Sequence, residues 1–130
     1  MGLFNLFKGN PASSTGKDII NWIPLTTIEQ LDQLVEESTH KLAVIFKHSK
    51  RCGISRMILR NFQDTYDIED DKAVNLYFLD ILSYRNVSDE VAARFQVWHE
   101  SPQLVILKNK KIVYHNSHSN IRADDVKGYI

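Results

Sequence analysis

The stretch Leu42-Ala43-Val44-Ile45-Phe46-Lys47-His48-Ser49-Lys50-Arg51-Cys52-Gly53-Ile54-Ser55 decides the fold. Its first five residues are an unbroken apolar run, short and β-branched, which reads as a buried strand from Leu42 to His48. Beyond Arg51 the apolar period changes. Ile54, Ile58, Leu59 and Phe62 recur at helical spacing and predict a helix from Cys52 to about Tyr66, with those four on its buried face. Cys52 therefore stands at a strand-to-helix junction, on the first helical turn. Free backbone N–H groups and the positive end of the helix dipole stabilise an anion there, so the position predicts a readily ionised, reactive thiol.

The rest of the chain supplies the frame. Trp22-Ile23-Pro24-Leu25 reads as a short extended piece. Thr26 or Thr27 caps a helix with an Ile28, Leu31, Leu34, Val35 stripe that ends near Ser38. Val74 to Ile81 is a second buried strand, and Asp67 to Lys72 before it is an acidic loop. Ser88 is expected to cap a helix running to about Phe95. Gln103 to Leu107 is a third core strand, and Asn109-Lys110 turns it back into Ile112 to His115. Arg122 to Ile130 has a weak helical pattern. Two strand-helix-strand steps start the sheet parallel, and the closing hairpin adds an antiparallel pair. The class is α/β, with a mixed central sheet and helices on both faces. Pro102 stands where a loop enters the third core strand; by base rate its peptide bond would be trans. Trp22 and Trp98 are expected in the core.

The totals bound the function. The chain has 130 residues, 43% hydrophobic and 25% charged, with a formal net charge of zero. That is enough chain for one domain with its own core, and the neutral balance offers no push toward nucleic acid or a membrane surface. One cysteine rules out an internal disulfide and a Cys-Cys metal site within one subunit. His99, His115 and His118 match no compact zinc spacing, so no metal is expected. Met1 to Gly16 fits neither a signal peptide nor a myristoylation pattern and reads as a flexible leader. The domain is then 17–130, and a reduced, cytoplasmic setting is expected. Charge is uneven locally. Lys47, Lys50, Arg51, Arg56 and Arg60 surround the thiol without an acid among them, while Asp64, Asp67, Glu69, Asp70 and Asp71 come next without a base.

Taken together, Phe46-Lys47-His48-Ser49, Cys52-x-Ile54-Ser55, Leu79-Asp80, Arg85, Val87-Ser88, His99-Glu100-Ser101-Pro102-Gln103, His115, Ser117-His118 and Asn120-Ile121 resemble the monothiol bacilliredoxins of the YtxJ family, in the thioredoxin superfamily. The likeness spans about residues 24 to 130. It implies a thioredoxin-like fold in which the Ser101–Pro102 bond is cis and faces Cys52. It also implies exchange of thiols with bacillithiol, a low-molecular-weight thiol that bears two carboxylates. One residue departs from the family: Gly53 stands where proline usually succeeds the cysteine. The resulting Cys52-Gly53-Ile54-Ser55 is similar to the motif of monothiol glutaredoxins.

The expected chemistry rests on what Cys52 lacks. Ser55 occupies the position of a second, resolving cysteine, so a mixed disulfide on Cys52 must be resolved by an outside thiol. No tightly bound cofactor is implied; the small thiol is a co-substrate, and the partners are S-thiolated client proteins. The residues expected to support the thiolate or bind substrate are Lys47, His48, Ser49, Arg51, Gly53, Ser55, Ser101 and Pro102. Several carry two readings. Ser55 donates to the thiolate or is a plain first-turn serine. Lys47 supports the thiolate by charge or is an exposed strand-end lysine. His48 protonates a leaving thiolate or packs a loop. Asp80 reads as a strand-end or capping group. Two other functions stay open: an Fe–S cluster carrier using Cys52 of two subunits, favoured by Gly53, and a non-catalytic interaction domain.

Overall fold

In the computed structural model, which describes residues 20–69 and 73–130, a five-stranded mixed sheet forms the centre. In chain order the elements are β1 (Ile23–Pro24), α1 (Ile28–Glu37), β2 (Leu42–His48), α2 (Gly53–Thr65), β3 (Val74–Asp80), α3 (Arg85–Phe95), β4 (Gln103–Lys108), β5 (Lys111–Ser117), a 3-10 turn at His118–Asn120 and α4 (Asp124–Lys127). The sheet order is β1-β3-β2-β4-β5. β2 lies parallel to β3 and antiparallel to β4, and β4 lies antiparallel to β5. The predicted leader lies outside the described residues, as do Asp70 to Lys72 of the acidic loop.

Alternation along β2 builds two cores. Ala43 and Ile45 face one side, where they meet Leu31 and Leu34 of α1 and Val87 and Val91 of α3. Val44 and Phe46 face the other, against Ile58 and Phe62 of α2 and Val126 of α4. Every residue of β2 is buried, as a central strand covered on both faces requires. Trp22 packs edge-on against Phe46 and Phe78, and its indole N–H donates to Gln63 Oε1 at 2.8 Å, so its expected core placement holds.

Local chemistry sets the boundaries. Thr27 is the N-cap of α1, its hydroxyl accepting from Gln30 N at 3.0 Å. Asn109 and Lys110 both have positive φ, as a two-residue primed hairpin turn demands. Lys110 is an uncommon residue there, and the end of α1 holds it: Ser38 takes both turn N–H groups, Asn109 N on its carbonyl and Lys110 N on its hydroxyl, each at 2.8 Å.

Two expectations need correction. Ser88 does not cap α3. The helix begins at Arg85 after Tyr84, because Asp80 folds the preceding turn by accepting from Leu82 N, Ser83 N and Ser83 Oγ. Ser88 is instead a fully buried residue inside the helix. Ile54 is not on the buried face of α2. The buried stripe is Ser55, Ile58 and Phe62, and Ile54, one position out of phase, is 57% exposed.

Candidate active site

Cys52 is the N-cap of α2 rather than a member of its first turn. Its backbone is extended, its N–H closes a turn on Ser49 O at 3.1 Å, and its carbonyl accepts from Arg56 N at 3.1 Å. The thiol makes no capping bond and is partly exposed. It thus sits at the mouth of a thirteen-residue helix, whose first N–H groups have no intrahelical acceptor. Gly53 is the first residue of that helix. A Cβ built on it would meet only Arg56 Nη2, at 3.7 Å, so space does not demand glycine here.

Ser55 lies under the loop, fully buried. Its hydroxyl accepts from Ser49 N at 3.1 Å and pairs with His48 Nδ1 at 2.9 Å. A serine hydroxyl donates one proton and accepts two, so this pair forms with either tautomer of His48. The serine in the resolving position therefore ties the Cys52 loop to the end of β2. His48 is buried against Phe78, and its pKa is pushed down by burial and by Arg56, which together outweigh the pull of Asp80. At neutral pH it is an uncharged imidazole, not a standing imidazolium acid.

The basic group divides. Lys50 and Arg51 are exposed on the turn before Cys52, and Arg56 folds back to donate from Nη1 to Lys50 O at 2.9 Å. Lys50 Nζ stands 3.9 Å from Asp80 Oδ2. Burial raises the Asp80 carboxyl, but the Ser83 and Leu82 hydrogen bonds and the Lys50 charge hold it below its ordinary value, as suits a structural cap.

Of the two readings of Lys47, the exposed strand-end lysine is ruled out. Lys47 is 0% exposed, on the α1/α3 side of the sheet, away from α2. Its amine donates to Ser88 O at 3.2 Å and reaches His99 Nδ1 at 3.2 Å, and desolvation pulls its pKa down to about 8. Strand alternation sets this: Lys47 shares the face of Ile45, and His48 that of Phe46.

Register brings the Pro102 loop to the same end of the sheet. Lys47 pairs with Gln103 across β2 and β4, so Ser101-Pro102 lies alongside His48-Ser49. The Ser101–Pro102 bond is cis, as the family resemblance implied and against the base rate. Gln103 Nε2 holds Trp98 O at 2.9 Å, His118 N donates to Pro102 O at 3.0 Å, and Ser117 Oγ donates to Glu100. Ser101 Oγ and Gln103 Oε1, flanking Pro102, are buried without a partner. Trp98 is not in the core: it is 89% exposed. Ile54, Met57, Leu82 and Trp98 are exposed large apolar residues on segments that leave this end of the sheet.

Sequence reasoning missed His99 and Ser88 as partners of Lys47. No local pattern joins residues 41 and 52 positions apart; only the alternation of β2 hinted at the inward lysine. Among the described residues no group of three His, Cys, Asp or Glu is placed to hold a metal ion. No helix among them is long and apolar enough to cross a membrane.

Known proteins agree with this geometry. The family profile described as monothiol bacilliredoxin BrxC matches residues 23–126. A solved structure described as having a thioredoxin fold is 29% identical, with a TM-score of 0.69 over 82% of this chain and 90% of that one. Thioredoxin of Schistosoma mansoni is 21% identical, with a TM-score of 0.64 over 84% of this chain and 95% of its own. That of Malassezia sympodialis is 19% identical, with a TM-score of 0.62 over 81% and 84%. The last two speak to fold alone. With its single cysteine at the N-cap of α2 and its cis-proline loop at the same end of the sheet, the chain belongs to the monothiol bacilliredoxin family and has the thioredoxin fold.

Proposed function

We propose that this protein removes bacillithiol from mixed disulfides on client proteins in the cytoplasm, with Cys52 as nucleophile. The observation that carries the reading is the pairing of a partly exposed N-cap Cys52 with a buried Ser55 in the resolving position. The thiolate of Cys52 attacks the small-thiol sulfur of the mixed disulfide. One S–S bond forms on Cys52, the client S–S bond breaks, and the client sulfur leaves as a thiolate that takes up a proton. Ser55 cannot resolve the adduct. A second small thiol, as thiolate, attacks it, restoring the Cys52 thiolate and leaving as the disulfide of the small thiol.

The surroundings support an anionic co-substrate. Lys50, Arg51 and Arg56 stand exposed around the start of α2, where two carboxylates would be drawn. The test is a client cysteine blocked separately with bacillithiol, glutathione and coenzyme A. The expected result is release of the client thiol by the wild type, fastest from bacillithiol, and none by Cys52→Ser. Equal rates from all three would reject the bacillithiol preference, and no release from any would reject the exchange reading.

A further inference from the structure

We propose that Lys47 and His99 form a clamp that positions the Ser101–Pro102 loop against the strand leading to Cys52, and that protonation of His99 opens it. The clamp joins three elements. Lys47 comes from β2, five residues before the cysteine. Ser88 comes from α3. His99 comes from the loop, three residues before Pro102. Two donors converge on one atom: Lys47 Nζ at 3.2 Å and Ser88 Oγ at 3.3 Å both reach His99 Nδ1. Lys47 Nζ also donates to Ser88 O at 3.2 Å. Lys47 and Ser88 are fully buried, whereas His99 is exposed, so a proton can come from solvent.

An ammonium has no lone pair, so the Lys47–His99 bond requires a bare Nδ1. A proton placed there faces the ammonium and the Ser88 hydroxyl, removing the acceptor and adding a like charge. His99 cannot be both a cation and clamped. The charges around it come from every side. Lys47 of β2 and Arg85 of α3 oppose protonation, while Asp89 of α3 and Glu100 of the loop favour it; with burial the leading cause, the balance holds its pKa below the ordinary 6.5. The other loop anchors reach elsewhere: Trp98 O to Gln103 of β4, Glu100 to Ser117 of β5, and Pro102 O to His118. His99 is the side chain that ties the loop to β2.

The test tracks the Trp98 indole N–H and the backbone amides of Glu100 and Ser101 by NMR in the full chain, from pH 8 to pH 5, with the Trp22 indole as internal control. The expected result is one transition with a midpoint below 6.5, confined to the loop. It is absent in His99→Asn, whose amide oxygen accepts from Lys47 and takes no proton. In Lys47→Met, an uncharged side chain of similar length, the midpoint rises. No loop transition in the wild type, or the same transition in His99→Asn, would overturn the clamp.

The second readout rests on the exchange reading above. Between pH 7.5 and 5.5 the exchange rate of His99→Asn relative to wild type rises severalfold, because everything but the clamp is common to both. A flat ratio would overturn the positioning role. If the protein exchanges no thiols at all, the NMR titration still decides whether the clamp exists.

Discussion

Replacing Lys47 with methionine should change how stability depends on pH, by an amount that can be worked out. Lys47 is fully buried, and its pKa falls from 10.5 in the unfolded chain to about 8 in the fold. Each unit corresponds to about 1.4 kcal/mol, so holding the amine charged inside the protein at pH 7 costs roughly 3 kcal/mol relative to the unfolded state. The sign comes from proton counting. Between pH 8 and 10.5 the unfolded chain keeps the Lys47 proton and the folded chain loses it. Stability therefore rises with pH across that window, and below pH 8 the cost is fully present. Lys47→Met carries no such proton. Its stability relative to wild type should be greatest near pH 7 and should shrink by about 2–3 kcal/mol on going to pH 10. Urea unfolding of both proteins at pH 7, 8, 9 and 10 measures this, and the difference cancels the titration of every other group. A difference that stays constant across the series would refute the reasoning, because Lys47 would then not be giving up its proton to burial. The gain is in global stability; the same substitution removes the loop's tie to β2.

Two further substitutions test the local geometry of the Cys52 loop. Gly53→Pro should raise stability by about 0.5–1 kcal/mol in thermal or urea unfolding, since the first helical position has an unneeded N–H and extended Cys52 accepts a proline after it. Destabilisation instead would mean that the Gly53 N–H or its conformational freedom is needed in the folded state. Ser55→Ala should cost roughly 1–3 kcal/mol, because it leaves His48 Nδ1 and Ser49 N without their shared partner; a loss below about 0.5 kcal/mol would show that the hydroxyl does not hold the loop.

Much of the frame was legible because its signals are local. An apolar run of five made β2 unmistakable, and its bounds match the structure residue for residue. The α1 cap depends on a single side chain acting three positions on, and the hairpin turn was signalled by Asn109, although Ser38 from α1 also holds it. The errors came where composition stands in for environment. Trp98 and Ile54 are apolar, and apolar residues read as core; here they stand exposed at the end of the sheet that carries Cys52. Lys47 could be read as an exposed strand-end amine; alternation along a doubly covered strand places it inside, where it finds acceptors 41 and 52 residues away. Ser88 looks like a cap in any window of sequence, but Asp80 had already organised the turn four residues earlier than a local pattern shows. The Ser101–Pro102 bond shows the opposite case: single-residue physics favours trans, and only the likeness of the whole motif pointed to cis.

The central claim is that Cys52 takes a small thiol from a client onto itself and cannot resolve it alone. Intact-mass spectrometry tests it most directly. Protein mixed with a client blocked by bacillithiol should gain the mass of one bacillithiol on Cys52 for each client thiol released. The adduct should persist until free small thiol is added and then disappear. A chain that stays at its unmodified mass while the client remains blocked would contradict the account.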